Sequence, residues 1–329
     1  ANLGALIAEY AGLAGEAEGT TADGGEASGG AALHLAYNAI RSGMVDVAVA
    51  VGVEKTTDIS GSQSESVAAR SLDADFEATE GLTPISQAAL LMQRYLYENQ
   101  FPREALAGFA MIAHSNATGN PHAHFRQAIK FEAYQKAPLI ADPLNQYDIA
   151  PRLDGAAAVI LIRKELIPKG LDHKAVRLAS SSLVTDRLAL HDRPDPLFFE
   201  AAAVSVRQAC DRAGVNLSAV DFFEYSDNTT LHALLSLEAA GFAVRGQGWK
   251  LATDGSLTLE GNLPVATMGG NKARGFPLGA AGVYQAVEAS LQLRGQAGLC
   301  QVKGARVGMI QSLAGTGSAA VTHILEAAK

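Results

Sequence analysis

Leu3, Leu6, Ile7, Tyr10 and Leu13 recur at helical spacing and predict an amphipathic helix over residues 2–14, ended by Gly15. Glu16–Ala22 follows as a weak candidate strand, and Gly24-Gly25 turns the chain into a helix over Gly30–Ser42. That helix has a thin Ala/Leu face, suited to close packing. Val45–Val53 alternates valine with Asp46, Ala48, Ala50 and Gly52, which predicts a central strand buried on both faces. Strand, glycine turn, helix and strand in that order indicate an α/β layered domain.

Residues 54–150 break this rhythm. They are more polar, with helical patterns over Pro84–Asn99 and Pro102–Asn116 among Asn, Pro and His turns, and read as an inserted subdomain over the sheet. The layered pattern resumes in an apolar strand over Asp154–Ile162. A second cycle follows: strand Ala175–Ser181, helix Phe198–Ala213, strand Val220–Glu224, helix Thr229–Ala240, helix Gly279–Gly295, then strands Arg306–Ser312 and Ala319–Leu325. The order of elements suggests two similar halves, 1–170 (with the insertion at about 55–150) and 171–329.

A chain of 329 residues with 48% apolar and 18% charged residues has the composition of a globular protein with a substantial core. Its net charge of −8 argues against a nucleic-acid surface and an anionic membrane partner. No run approaches the roughly 18 apolar residues of a membrane span, and no basic segment opens the chain as in a secretory signal. Two cysteines, Cys210 and Cys300, in so long a chain point to a reducing, cytoplasmic setting and to structural roles. His122 and His124 lack a nearby third ligand, so no metal site is expected; Gly315 and Gly317 lack the third glycine of a dinucleotide loop.

Two glycine-rich stretches carry a family resemblance. Gly25-Glu26-Ala27-Ser28-Gly29-Gly30 resembles the Ala-Cys-Ala-Ser-Gly loop of thiolases, with Glu26 at the place of the nucleophilic cysteine. Gly269–Gly279 resembles their Gly-Gly-x4-Gly-His-Pro-x-Gly motif, with Phe276 at the place of the histidine. Val51–Lys55, Asn120–Arg126, Ile140–Leu144 and Asp154–Ala158 are similar to further family segments in the family's order. The chain therefore resembles the thiolase superfamily, of the archaeal-bacterial or sterol-carrier type. The resemblance implies a five-layered α-β-α-β-α fold of two duplicated halves. It also implies a homodimer, and coenzyme A as part of the substrate with no tightly bound cofactor. In that family an additional strand and one or two helices precede the point corresponding to Ala1.

The implied chemistry departs from the family's. A carboxylate is a poorer acyl acceptor than a thiolate and a phenyl ring moves no protons. Glu26 reads first as an acid capping the helix that follows it, and second as a general base or an anion facing a thioester carbonyl. The family's His-Asp-x-Phe segment corresponds to Ser226-Asp227-Asn228-Thr229. Asp227 matches the acid and Ser226 and Asn228 are hydrogen-bond candidates toward substrate. Tyr225 reads as a core residue with its hydroxyl bonded or, in a retro-aldol route, as the first candidate proton carrier, with Glu26 the second. Gly275, Gly315 and Ser312 fall on loops that face substrate in the family, whereas Arg126, Lys130 and Lys136 suit CoA phosphates or plain solvation. Two functions fit: thioester chemistry without a cysteine nucleophile, such as retro-aldol carbon–carbon cleavage with a small OB-fold, zinc-ribbon partner, or an inactive scaffold or sensor subunit. Ordinary thiolase activity is not expected.

Overall fold

The protein is described by a computed structural model covering residues 2–59, 61–171 and 174–328. In chain order, its first half holds α1 (Leu3–Tyr10), α2 (Ser28–Arg41), β1 (Val47–Glu54), α3 (Ser62–Ala68), α4 (Pro84–Asn99), α5 (Ala107–Ala117), α6 (Phe131–Lys136), β2 (Leu139–Ala141), β3 (Leu144–Asn145) and β4 (Gly155–Ile162). The second holds β5 (Val176–Thr185), α7 (Glu200–Ala213), β6 (Phe222–Glu224), α8 (Thr230–Ala240), α9 (Ala281–Leu293), β7 (Val307–Ala314) and β8 (Ala319–Ala327).

Local chemistry explains the sharpest boundaries. Thr83 caps α4 reciprocally with Ser86, and Pro84 fills the first helical position, where a missing N–H costs nothing. Gly214 and Gly241 end α7 and α8 at φ 68° and 88°, a conformation that glycine adopts freely.

The second-half sheet has the order β5-β8-β7-β6, with β6 parallel to β7 and the other pairs antiparallel. Alternation along β5 sorts its two faces. Ser180 and Ser182 bond to Ala209 and Gln208 of α7, whereas Ser181 between them meets His34 of α2 at 2.6 Å. The sheet is thus covered by α7 outside and by α2 and α9 inside. Those two central helices also pack on the two-stranded antiparallel sheet β1-β4.

The central helices approach through glycines. A Cβ on Gly282 would stand 2.3 Å from the backbone nitrogen of Gly30, and one on Gly30 would stand 2.8 Å from Ser312 Oγ. The thin face foreseen for α2 thus meets α9 through backbone at these glycines, while Leu33 further along α2 is buried with Ala286 and Ala289 of α9.

Three expectations are corrected. Glu16–Ala22 is not a strand: it joins no ladder among the described residues, and the amides of Glu16 and Ala17 turn back onto the Leu13 carbonyl. The first helix is shorter than its pattern, and Leu6 and Tyr10 on its apolar stripe stay exposed. The strand Val47–Glu54 is buried on one face only. Ala50 is 2% exposed, but Val49 is 51% exposed and its cross-strand partner Ile160 72%. A run apolar on both sides is consistent with a two-sided burial that the described residues do not provide.

His323 on β8 is fully buried, and neither ring nitrogen has a hydrogen-bond partner among the described residues. Burial, with His34 adding to it and only a contact with the Gly30 backbone, outside hydrogen-bond geometry, opposing it, pulls its pKa down to about 3. The unfolded ring takes up a proton near pH 6.5 while the folded one stays neutral, so this group destabilises the fold as pH falls below about 6.5. Between pH 7 and pH 5 the protein should lose about 2 kcal/mol more than a His323→Phe variant. Urea midpoints measured at both pH values decide it; parallel losses in the two proteins would remove His323 from the account.

Candidate active site

Six pieces of chain meet at one cleft. Gly25, at φ 59°, turns the chain so that Glu26 stands just before α2. Ser28 locks this turn, its Oγ accepting from Gly24 N at 3.0 Å and donating to Gly25 O at 2.6 Å. The segment 149–153 runs across the floor: Ala150 N donates to Asn228 O at 2.9 Å and Phe276 N to Pro151 O at 2.9 Å. The start of α8 supplies Thr229 and His232, the turn after β7 supplies Gly315, and the start of α4 supplies Pro84 and Ile85. The enclosed volume is about 40 Å³, room for roughly two or three waters or the reacting end of a larger molecule.

Gly315 ties two polar groups together. Its N–H donates to Glu26 Oε2 at 2.8 Å, and its carbonyl lies 3.1 Å from His232 Nε2. A carbonyl only accepts, so Nε2 carries the proton and Nδ1 accepts from Thr229 Oγ1 at 2.8 Å. Burial, helped by the charge on Lys272, brings His232 down to about 4 against the opposing bond to Gly315, so its ring is neutral. With both nitrogens engaged, His232 holds the Gly315 turn in place.

The orientation of Asn228 follows from a chain of donors. Arg274 has no acceptor, so the Asn271 oxygen must face its Nη2, at 3.0 Å. The Asn271 amide nitrogen then donates to Asn228 Oδ1 at 2.8 Å. That leaves the Asn228 NH2 group, at the cleft wall, without an acceptor among the described residues. Phe276 is 6% exposed and packs on Ala150, Leu278 and Ala281, closing the cleft with an apolar wall. Arg152 is the one fixed cation among the described residues that line the cleft, paired with Glu65 at 2.8 Å.

Against this geometry the sequence matches decide the family. The thiolase N-terminal domain family matches residues 2–165, and the thiolase C-terminal domain-like family matches residues 182–327. The chain belongs to the thiolase superfamily. An acetyl-CoA acetyltransferase of Methanothermobacter thermautotrophicus is 38% identical over 98% of this chain and 83% of its own length. The benzoylsuccinyl-CoA thiolase subunit BbsB of Thauera aromatica is 30% identical over 82% and 69%, and sterol carrier protein 2 of Rattus norvegicus 28% identical over 90% and 56%. Among solved structures, an Ltp2-ChsH2(DUF35) aldolase superposes with a TM-score of 0.84 at 22% identity, over 98% of this chain and 83% of that one. At that identity the likeness is one of fold. The layers of α7, the second-half sheet, the central helices and β1-β4 are those of the thiolase fold, four of them built by the described residues.

Within this thiolase cleft stand Glu26, Asn228, Phe276 and Gly315 of the residues singled out in the sequence. The others lie elsewhere. Tyr225 is 3% exposed in the main core, its ring 5.5 Å from that of Phe223. Burial, then the charges of Asp227 and Glu224, raise its phenol well above the ordinary value, which opposes a role in moving protons. Asp227 is buried as a clamp, accepting from Asn271 N at 2.6 Å and Lys272 N at 3.3 Å. Burial raises its pKa against the pull of Lys272. Ser226 bridges to Leu313 N at 3.0 Å, Ser312 donates to Gln285 Oε1 at 3.0 Å, and Gly275 at φ 114° abuts Leu153. None of these lines the cleft.

Sequence reasoning passed over His232 and Arg152. The signal for His232 was its place in the first turn of α8, three residues after the capping Thr229. Among the described residues no group of three or more His, Cys, Asp or Glu side chains is placed to hold a metal ion, and no helix is long and apolar enough to cross a membrane.

Proposed function

We infer that this protein binds an acyl-CoA thioester in the cleft and cleaves a carbon–carbon bond by a retro-aldol route, with no acyl-enzyme. The observation that carries this reading is a cleft whose described residues present a carboxylate and no thiol. Cys210 lies on α7, and Cys300 is buried with its Sγ 3.2 Å from the Asn116 carbonyl. Glu26 takes the proton from the β-hydroxyl of a β-hydroxyacyl-CoA. The Cα–Cβ bond then breaks, its electron pair passes into the thioester enolate, and an aldehyde or ketone leaves. Glu26 returns the proton to Cα, releasing the shortened acyl-CoA. The Asn228 NH2 group donates to the enolate oxygen, and Phe276 keeps water from that oxygen.

The fold neighbour, an Ltp2-ChsH2(DUF35) aldolase, supports both the aldol chemistry and a small OB-fold partner subunit. BbsB, a subunit by name, supports a hetero-oligomeric setting. The exposed apolar face of β1 and β4 supports the homodimer that the family resemblance implies. Coenzyme A enters as part of the substrate, in the cytoplasm.

The decisive experiment incubates the pure chain with a β-hydroxyacyl-CoA radiolabelled in its acyl group, alone and with a DUF35-type subunit. Release of a carbonyl compound and a shorter acyl-CoA is expected, with no label on protein. Label held through sulfur would overturn the reading. A cleft of about 40 Å³ favours the second reading, a scaffold or sensor subunit. Tight coenzyme A binding without turnover, measured by calorimetry, would establish a sensor, and no binding at all an architectural subunit.

A further inference from the structure

A second cavity, of about 460 Å³, lies beside α5, between the loop 124–129 and the segment 146–149. Ile149 is the one described residue it shares with the cleft, so its role does not depend on the function proposed for that cleft. Its charged lining is of one sign. Lys272 and Arg126 border it, with His114 and His124, and no carboxylate among the described residues does, in a chain whose net charge is −8.

Two of these groups are deeply buried and incompletely bonded. Lys272 is 1% exposed; its Nζ donates to the Asp148 carbonyl at 2.7 Å, which leaves two ammonium protons without an acceptor among the described residues. His114 is 4% exposed, and its Nδ1 has no partner among the described residues. Phe125 stacks on the His114 ring at 5.6 Å and Tyr147 meets it edge-on at 5.7 Å, so the imidazole is held in place at the cavity wall. The Asp148 carboxylate is already engaged, by the hydroxyls of Tyr134 and Thr230.

We propose that this cavity binds the carboxylate or phosphate group of a small organic anion, with Lys272 and Arg126 as its charged donors and His114 as a neutral donor beside them. An oxyanion supplies the acceptors that the buried ammonium lacks. A charge-assisted hydrogen bond to such a group is stronger than the bond to the Asp148 carbonyl. Burial pulls Lys272 down to about 8 in spite of the Asp227 and Asp148 carboxylates that face it, and burial, with the charge on Lys272 adding to it, lowers His114 against the backbone at Gln127. A bound anion reverses this, so binding at about pH 8 is accompanied by proton uptake.

The test is calorimetric titration of the full chain with inorganic phosphate and, separately, with succinate. Binding at about pH 7 is expected to weaken about tenfold or more at about pH 9.5, for phosphate in spite of its greater charge there. Arg126→Gln, on an exposed side chain, should weaken it about tenfold, and Lys272→Met at least as much. Binding of phosphate alone assigns a phosphate ester, succinate alone a carboxylate, and both the shared oxyanion chemistry. No binding of either anion by the wild-type chain, or affinities unchanged in Arg126→Gln, would overturn the proposal.

Discussion

Replacing Glu26 by glutamine is expected to lower retro-aldol turnover by about 10²- to 10⁴-fold, the range for loss of a general base, while leaving coenzyme A binding unchanged. The substitution isolates proton transfer from architecture. The introduced amide oxygen still accepts the Gly315 N–H that Glu26 Oε2 now receives at 2.8 Å, so the turn and its hold on His232 persist. The amide is not basic, so it cannot remove the β-hydroxyl proton. Measured kcat should fall while KM stays within a few-fold of wild type. Full turnover in the variant would show that Glu26 only caps α2, and the base would have to be sought elsewhere. A fall in binding as large as that in turnover would place Glu26 in substrate contact and not in proton transfer.

Gly282→Val should be the most damaging single change to the fold, at about 3 kcal/mol or more. The added side chain points at atoms that cannot step aside. Its Cβ alone would stand 2.3 Å from Gly30 N and 2.5 Å from Ser312 Oγ, where the first belongs to the backbone of α2 and the second to a hydroxyl bonded to Gln285. Relief requires α2 and α9 to separate, which strips contacts from both sheets at once. Because Glu26 lies just before the start of α2 and Leu278 just before that of α9, the cleft should open as the core loosens. Thermal unfolding with a matched activity assay reads both effects. A melting midpoint equal to wild type would show that the two helices have slack that their glycines do not suggest.

The layered fold was legible because its signals are local and redundant. Thr83-Pro84 and Gly241 mark helix ends by backbone chemistry that tertiary context rarely overrides, and the Gly155–Ile162 strand appears within one residue of its pattern. The glycines of the first glycine-rich stretch do two jobs: Gly25 turns the chain into the cleft, and Gly30 lets helices touch. What escaped was directional. A valine-rich run states that a strand has two apolar faces, but says nothing of what lies against each, and one face of β1 is open among the described residues. The hairpin β2-β3 is too short to leave a periodic trace.

The cleft was partly legible for the same reason. Motif positions carried Glu26, Asn228, Phe276 and Gly315 to one place, but could not say which way neighbouring side chains turn. After Glu224 the chain leaves strand β6 and curves. Tyr225 goes into the core, Asp227 to the amides of residues 271 and 272, and Asn228 to the cleft. His232 has no motif of its own and emerges only when α8 is laid against the turn after β7.

The Asn271 link has a consequence for robustness. A guanidinium outside the cleft settles which end of the Asn228 amide an incoming oxygen meets, and it does so by elimination, being unable to accept a proton from either amide. Arginine keeps its charge at every pH at which a protein is folded. The polarity of that cleft wall is therefore insensitive to acidity, whereas an imidazole in place of Arg274 would let both amides turn over each time it gained or lost a proton.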